Sequence, residues 1–131
     1  MKEILKNKIH IAKSGLKNAG RGVFASAAIK QGEIIEVCPI IILWSRDSAH
    51  IMETVLQNYV YEYAETGTML ALGYGSLYNN QKIPNAKYEL QEYSGMQEQD
   101  SELLITALRP IAENEEIFID YGIHEYLKYR S

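Results

Sequence analysis

The sequence predicts a mostly β domain, and three observations carry that reading. Short apolar stretches alternate with glycine-bearing turns along the chain, the spacing of small sheets. Tyr59-Val60-Tyr61-Glu62-Tyr63 alternates at period two, which puts three tyrosines on one face of a half-buried strand. The run Ile40 to Leu43 is short, mostly β-branched and preceded by Pro39, as a buried strand would be.

In chain order, Ile9, Ile11 and Ala12 form a first strand with His10 on the alternate face. Ser14 to Gly22 holds three glycines in nine residues and reads as a loop that turns sharply or lets something approach its backbone. Val23-Phe24-Ala25 resumes a strand, Lys30-Gln31-Gly32-Glu33 is a compact turn, and Ile34 to Val37 is strand again. Ser45 to Met52 is a short surface helix. Thr66-Gly67 turns the chain into a core strand, Met69 to Leu72. After the polar stretch Gly75 to Asn85 come a strand from Tyr88 to Tyr93, a connection from Gly95 to Asp100, and a central strand from Leu103 to Ala107. An acidic turn from Arg109 to Glu116 precedes the strand Ile117 to Ile119, and 123–131 forms a terminal helix or ordered tail.

The 131 residues fit one domain, 1–131, able to bury roughly two-thirds of the surface its unfolded chain exposes. A net charge of −4 argues against direct nucleic-acid binding and suits a basic peptide or protein partner. The single cysteine, Cys38, excludes an intrachain disulfide and a multi-cysteine zinc site. The apolar run ending at Trp44 is far short of the roughly 20 residues of a membrane helix, and the N-terminus has no signal-peptide pattern. A soluble intracellular protein, cytoplasmic or nuclear, with no membrane attachment is the expectation.

Tyrosine is the compositional outlier, with 10 residues against 2 phenylalanines. Such rings finish a core at its edge or line a narrow semi-polar channel. Asn79 and Asn80 follow apolar Leu77 and Tyr78, so their amides need partners, as loop caps or as binding groups. Tyr121, between Asp120 and Gly122 at a strand end, is a core wedge or a group that orients a small reactant. Gly15 to Gly22 matches neither a P-loop nor a dinucleotide fingerprint. His10, His50 and His124 lack metal spacing, so no metal is expected. Glu113, Glu115 and Glu116 read as a solvated turn, and Cys38 as a small buried side chain.

Four segments in order resemble the SET-domain protein lysine methyltransferases, specifically small ones that are almost nothing but the SET core. Gly20-Arg21-Gly22-Val23-Phe24-Ala25 is similar to the family's glycine-rich cofactor loop, and Lys30-Gln31-Gly32-Glu33-Ile34-Ile35 to the turn after it. Leu77-Tyr78-Asn79-Asn80-Gln81 through Pro84-Asn85-Ala86 resembles the Asn-His-Ser…Pro-Asn motif. Thr106 to Ile111 with Glu115 to Gly122 resembles the C-terminal motif. The resemblance covers a core of about 9–122 and leaves 123–131 as a tail.

That resemblance implies several small antiparallel sheets around a C-terminal pseudoknot, with few short helices. It implies S-adenosylmethionine as cofactor and S-adenosylhomocysteine as product. The residues implied to hold it are Lys17, Ala19, Gly20, Arg21, Gly22, Val23, Tyr78, Asn79, Asn80 and Tyr121. Tyr61, Tyr63, Tyr78 and Tyr121 are the implied substrate-lysine channel. Tyr121 is the implied catalytic residue, positioning the amine and methyl group, since a free tyrosine with a pKa of about 10 is a poor base at neutral pH. The implied reaction is methyl transfer to a lysine of a basic protein such as a histone.

Two departures stand out. Asn80 and Gln81 replace the family's usual histidine and serine, which motivates the competing reading of a non-catalytic SET-like interaction domain. The family's cysteine-rich zinc module after the core is missing, so Tyr126 and Tyr129 are the expected closing surface, with a second subunit in a homodimer as the alternative lid.

Overall fold

The β-branched and aromatic stretches form nine strands, β1 Ile9–Lys13, β2 Arg21–Ala25, β3 Ile34–Leu43, β4 Val60–Tyr63, β5 Gly67–Ala71, β6 Asn79–Asn80, β7 Ala86–Gln91, β8 Glu102–Ala107 and β9 Glu116–Ile119. They are seen in a computed structural model that describes residues 8–91 and 100–121. Two helical elements lie wholly within these residues, α1, Ser45–Ile51, and a 3-10 turn, Val55–Asn58. The expected Tyr93, the connection from Gly95, Gly122 and the tail with Tyr126 and Tyr129 lie outside the described residues.

Two sheets result, one ordered β1-β2-β9-β6 and the other β4-β5-β3-β8-β7. All pairings between these strands are antiparallel except β6 with β9, which run parallel, Asn79 opposite Phe118 and Asn80 opposite Ile119. That parallel pair brings a segment near residue 80 beside one near residue 119. Inward side chains of both sheets, among them Val23, Ile35, Leu103, Ile105, Ile117 and Ile119, are fully buried and make one core.

Ile34 to Val37 and Ile40 to Leu43, expected as two strands, are one strand that changes partners. Its first half pairs with β8 as far as Pro39 opposite Glu102, and its second half pairs with β5 from Ile40 opposite Ala71. Pro39 has no N–H to give a ladder, and it sits at this changeover. Its carbonyl accepts the Leu72 N–H at 2.8 Å.

Tyr59 departs from its expected place. It caps the 3-10 turn with φ −122° and ψ 5°, outside the extended region, so the aligned tyrosines of β4 are Tyr61 and Tyr63 alone. The turn ahead of β5 comes earlier than expected, over 64–66 with Ala64 at φ 55°, and Gly67 already belongs to the strand. A Cβ on Gly67 would lie 2.8 Å from the Tyr63 carbonyl and 3.1 Å from the Trp44 ring, so glycine fits a close crossing there.

Candidate functional site at the β6–β9 crossing

Three asparagines hold the crossing together through their side chains. The Asn80 Oδ1 accepts the Tyr121 N–H at 2.8 Å. The Asn85 Oδ1 accepts the Phe118 N–H at 2.8 Å, while its Nδ2 donates to the Glu116 carbonyl at 2.9 Å. Asn79 Nδ2 donates to the Arg21 carbonyl and to Glu116 Oε2, both at 3.0 Å. Gln81 adds a backbone N–H to the Ile119 carbonyl at 3.0 Å. The asparagines are therefore not caps of their own loop; they tie a distant strand in place. Asn85 is 2% exposed, so its own amide has no access to water as a substitute partner.

Glu116 corrects the expectation of a solvated acidic turn. It opens β9 opposite Phe24 and is buried, because β9 lies between β2 and β6. Its carboxylate accepts the Ser14 hydroxyl at 2.8 and 3.0 Å, the Gly15 N–H at 2.9 Å and Asn79 Nδ2. One carboxylate thus joins the start of the glycine loop to the asparagine crossing. Gly22 is explained by the same packing, since a Cβ there would stand 2.2 Å from Glu116 Oε2. Gly20 differs: its φ of +74° favours glycine, and the space beside it is open. Glu115 remains in the exposed turn, where the Arg109 guanidinium at 2.6 Å holds its carboxyl below the usual range.

A cavity of about 480 Å³ opens beside this crossing, with Leu16, Ala19, Gly20 and Arg21 on one side and Ser76 to Asn80 with Tyr121 on the other. Its size falls within the roughly 300–1,000 Å³ of small-molecule sites. A narrower pocket of about 10 Å³ shares Asn58, Tyr59, Ser76 and Tyr121 with it and adds Val60 and Tyr61.

Tyr121 stands where the two meet. Its hydroxyl donates a short hydrogen bond to the Tyr78 carbonyl, and its own carbonyl accepts the Tyr88 hydroxyl at 3.2 Å. Tyr61 packs edge-on against it, ring centres 5.9 Å apart, and tilted against Tyr88 at 4.8 Å. The Tyr61 hydroxyl donates to the Gly75 carbonyl at 2.7 Å. Burial, with the neighbouring Tyr88, pushes the Tyr121 phenol up to about 12. Burial likewise raises Tyr61 and Tyr78 well above an ordinary phenol. These hydroxyls stay protonated and act as donors at neutral pH.

Of the residues expected to hold a cofactor, Ala19, Gly20, Arg21, Tyr78, Asn79, Asn80 and Tyr121 line the cavity. Val23 is fully buried in β2, and Lys17 is exposed in the glycine loop. Of the expected channel tyrosines, Tyr61 and Tyr121 meet. Tyr63 stacks edge-on with Trp44, ring centres 5.3 Å apart. Tyr78 presents its carbonyl to Tyr121 while its ring runs through the core and its hydroxyl donates to Glu36 Oε1 at 2.7 Å.

Sequence reasoning assigns no role to Tyr88 or Glu36 and places Glu116 in a solvated turn. Tyr88 carried a legible signal, as an aromatic on an alternating strand; the two glutamates look like ordinary surface charges until the sheets close over them. Cys38 is buried as expected, and burial with the nearby Glu36 charge pushes its thiol far up, away from nucleophilic chemistry. Among the described residues no acidic, histidine and cysteine group is placed to hold a metal, and no helix is long and apolar enough to cross a membrane.

This geometry has counterparts in known proteins. A SET-domain profile matches residues 20–122. A Schizosaccharomyces pombe protein named histone-lysine N-methyltransferase, H3 lysine-37 specific, is 35% identical over 106 residues, covering 80% of this chain and 68% of that protein. A crystal structure of a Plasmodium falciparum protein assigned to the histone methyltransferases superimposes with a TM-score of 0.69 at 36% identity, over 88% of this chain and 94% of the other. The polycomb repressive complex 2 of Chaetomium thermophilum, in an autoinhibited conformation bound to S-adenosylmethionine, shares the fold with a TM-score of 0.73 at 19% identity, over 95% of this chain and 17% of that one.

Proposed function

Because the chain belongs to the SET-domain family, we infer that it is a protein-lysine N-methyltransferase that uses S-adenosylmethionine, and that its substrate is a basic histone-type tail. The observation that carries this reading is the meeting of the glycine loop, the asparagine crossing and the Tyr121 hydroxyl around one cavity. The cavity suits the cofactor in chemistry as well as size. Leu16 and Leu77 offer apolar wall, Asn79 and Asn80 offer amides, and the open space at Gly20 admits a close ligand.

Bound S-adenosylmethionine supplies an electrophilic methyl group on a sulfonium. Gly20, Arg21, Asn79 and Asn80 would hold it, and the lysine side chain would reach Tyr121 along the ring of Tyr61. The reacting amine must be neutral, so it sheds its proton to solvent before transfer. Tyr121 stays a phenol and orients the amine from a fixed position, which reduces the entropy lost on alignment. Aromatic faces and the Tyr78 carbonyl favour the positive charge that builds on the amine. The closing surface we propose is Tyr126 and Tyr129 of the tail, with a second copy of the chain in a homodimer as the alternative. The acidic balance of the chain attracts a basic tail.

A thermal-unfolding titration with S-adenosylmethionine and S-adenosylhomocysteine tests the cofactor, with a concentration-dependent rise in midpoint expected. Labelled methyl transfer to histones, with Tyr121→Phe as the control, tests the reaction. A midpoint rise without transfer to any basic protein would leave the interaction-domain reading standing instead. Removing 123–131 should abolish transfer if the tail closes the site, and unchanged transfer would overturn that role.

A further inference from the structure

Two carbonyl oxygens receive the phenols of the site, Gly75 O from Tyr61 and Tyr78 O from Tyr121. Both lie on the link between β5 and β6, of which 72–76 is turn and 77–78 is irregular. No ladder partner fixes them, so something else must. Local bonds brace the turn itself, Gly75 N–H to the Leu72 carbonyl at 3.2 Å and Leu77 N–H to the Tyr74 carbonyl at 2.9 Å. The near end of the turn is tied to β3 by the Leu72 N–H to the Pro39 carbonyl at 2.8 Å, and Ser76 is tied to β5 by its hydroxyl on Ala71; the stretch that carries Tyr74 and Tyr78 is attached to β3 by Glu36. Its Oε2 accepts the Tyr74 N–H at 2.8 Å and its Oε1 accepts the Tyr78 hydroxyl at 2.7 Å. The approach is close enough that a Cβ on Gly73 would stand 2.4 Å from Oε2. Glu36 lines neither the cavity nor the narrow pocket.

We propose that Glu36 is a positioning residue for methyl transfer: its carboxylate clamps Tyr74 and Tyr78, and thereby fixes the Tyr78 carbonyl that orients the Tyr121 hydroxyl. The proposal rests on the methyltransferase reading above. It assigns Glu36 no contact with substrate or cofactor. The chemistry of the clamp predicts a graded response. A glutamine at this position keeps an oxygen for the Tyr74 N–H and turns its NH₂ toward the Tyr78 oxygen, which is able to accept. Alanine removes both bonds, and Tyr78→Phe removes only the second while keeping the ring that fills the core.

The test compares Glu36→Gln, Glu36→Ala and Tyr78→Phe with the wild type in the full chain. Glu36→Ala and Tyr78→Phe should lower kcat about 10- to 100-fold while the Kd for S-adenosylmethionine stays within about threefold, and Glu36→Gln should recover most of the rate. A second readout needs no turnover. With tyrosine labelled with carbon-13 at Cζ, the Tyr121 resonance, assigned through Tyr121→Phe, should move in Glu36→Ala and Tyr78→Phe and return toward its original position in Glu36→Gln. Wild-type protein that transfers no methyl group to histones would sink the enzyme reading, while the resonance would still decide the clamp. A lowered thermal midpoint with the Tyr121 resonance in place would make Glu36 a stability residue and overturn the proposal. So would a Glu36→Gln protein as impaired as Glu36→Ala. Should Glu36→Ala fail to fold, Tyr78→Phe carries the comparison.

Discussion

The hydroxyl of Tyr121 donates to the backbone carbonyl of Tyr78, across 43 positions of sequence. The two residues meet because β6 and β9 run parallel one step away, so the orientation of one phenol depends on the crossing of two distant segments.

Tyr121→Phe keeps the ring against Tyr61 and removes the hydroxyl that donates to the Tyr78 carbonyl. Transfer should fall about 100-fold or more, because orientation at the reacting centre is lost. Binding of S-adenosylmethionine by calorimetry should change little. Weakened binding in step with rate would instead make the hydroxyl a cofactor ligand.

The same phenol gives the folded protein an alkaline limit. Tyr121 ionises at about 12 when folded against 10.0 when unfolded, so its contribution is fully present below pH 10. Above that pH the unfolded chain loses its proton first, and stability declines as pH rises toward 12. The loss attributable to Tyr121 is about 2–3 kcal/mol at the end of that window. Denaturant unfolding from pH 8 to 12 should show a shallower decline in Tyr121→Phe than in the wild type.

Glu116→Gln should loosen the glycine loop. Both carboxylate oxygens face donors, Gly15 N–H and Ser14 on one side, Asn79 Nδ2 and Ser14 on the other, so an NH₂ group meets a donor whichever way the amide is placed. Losing one such charge-assisted bond is worth about 1.5–3 kcal/mol, or roughly tenfold or more in the Kd for S-adenosylmethionine if the loop is what binds it. Unchanged affinity with a lowered thermal midpoint would confine Glu116 to stability.

Two glycines of the loop should respond differently to alanine. Gly22→Ala drives a methyl group into Glu116 and Asn79, whose side chains are anchored by their own bonds. Gly20→Ala meets open space and incurs mainly the left-handed backbone penalty of about 1–2 kcal/mol. Thermal midpoints of the two variants, measured without cofactor, should therefore rank Gly22→Ala below Gly20→Ala.

Asn85→Ala takes the partner from the buried Glu116 carbonyl and from the part-buried Phe118 N–H. Each such group costs about 1–3 kcal/mol, so unfolding should need distinctly less denaturant. An effect below about 1 kcal/mol would mean that the crossing relaxes to satisfy them.

Much of the architecture was legible in the sequence. Period-two alternation marked β4, a short β-branched run marked the second half of β3, and glycine spacing marked the loop ahead of β2. Those signals are local, because backbone geometry repeats every two residues in a strand and glycine relieves local strain. The order of the four motifs also identified the family and the crossing of asparagines with Tyr121. What the sequence could not decide was where polar side chains end. Asn85 and Glu116 look like a turn residue and a surface acid, yet both are buried, since burial depends on which sheet closes over a residue. Tyr78 and Tyr88 are both tyrosines with a polar residue beside them in sequence, but one ring crosses the core to Glu36 while the other joins Tyr61. Tyrosine's amphipathic ring fits either place, and only tertiary contacts choose between them.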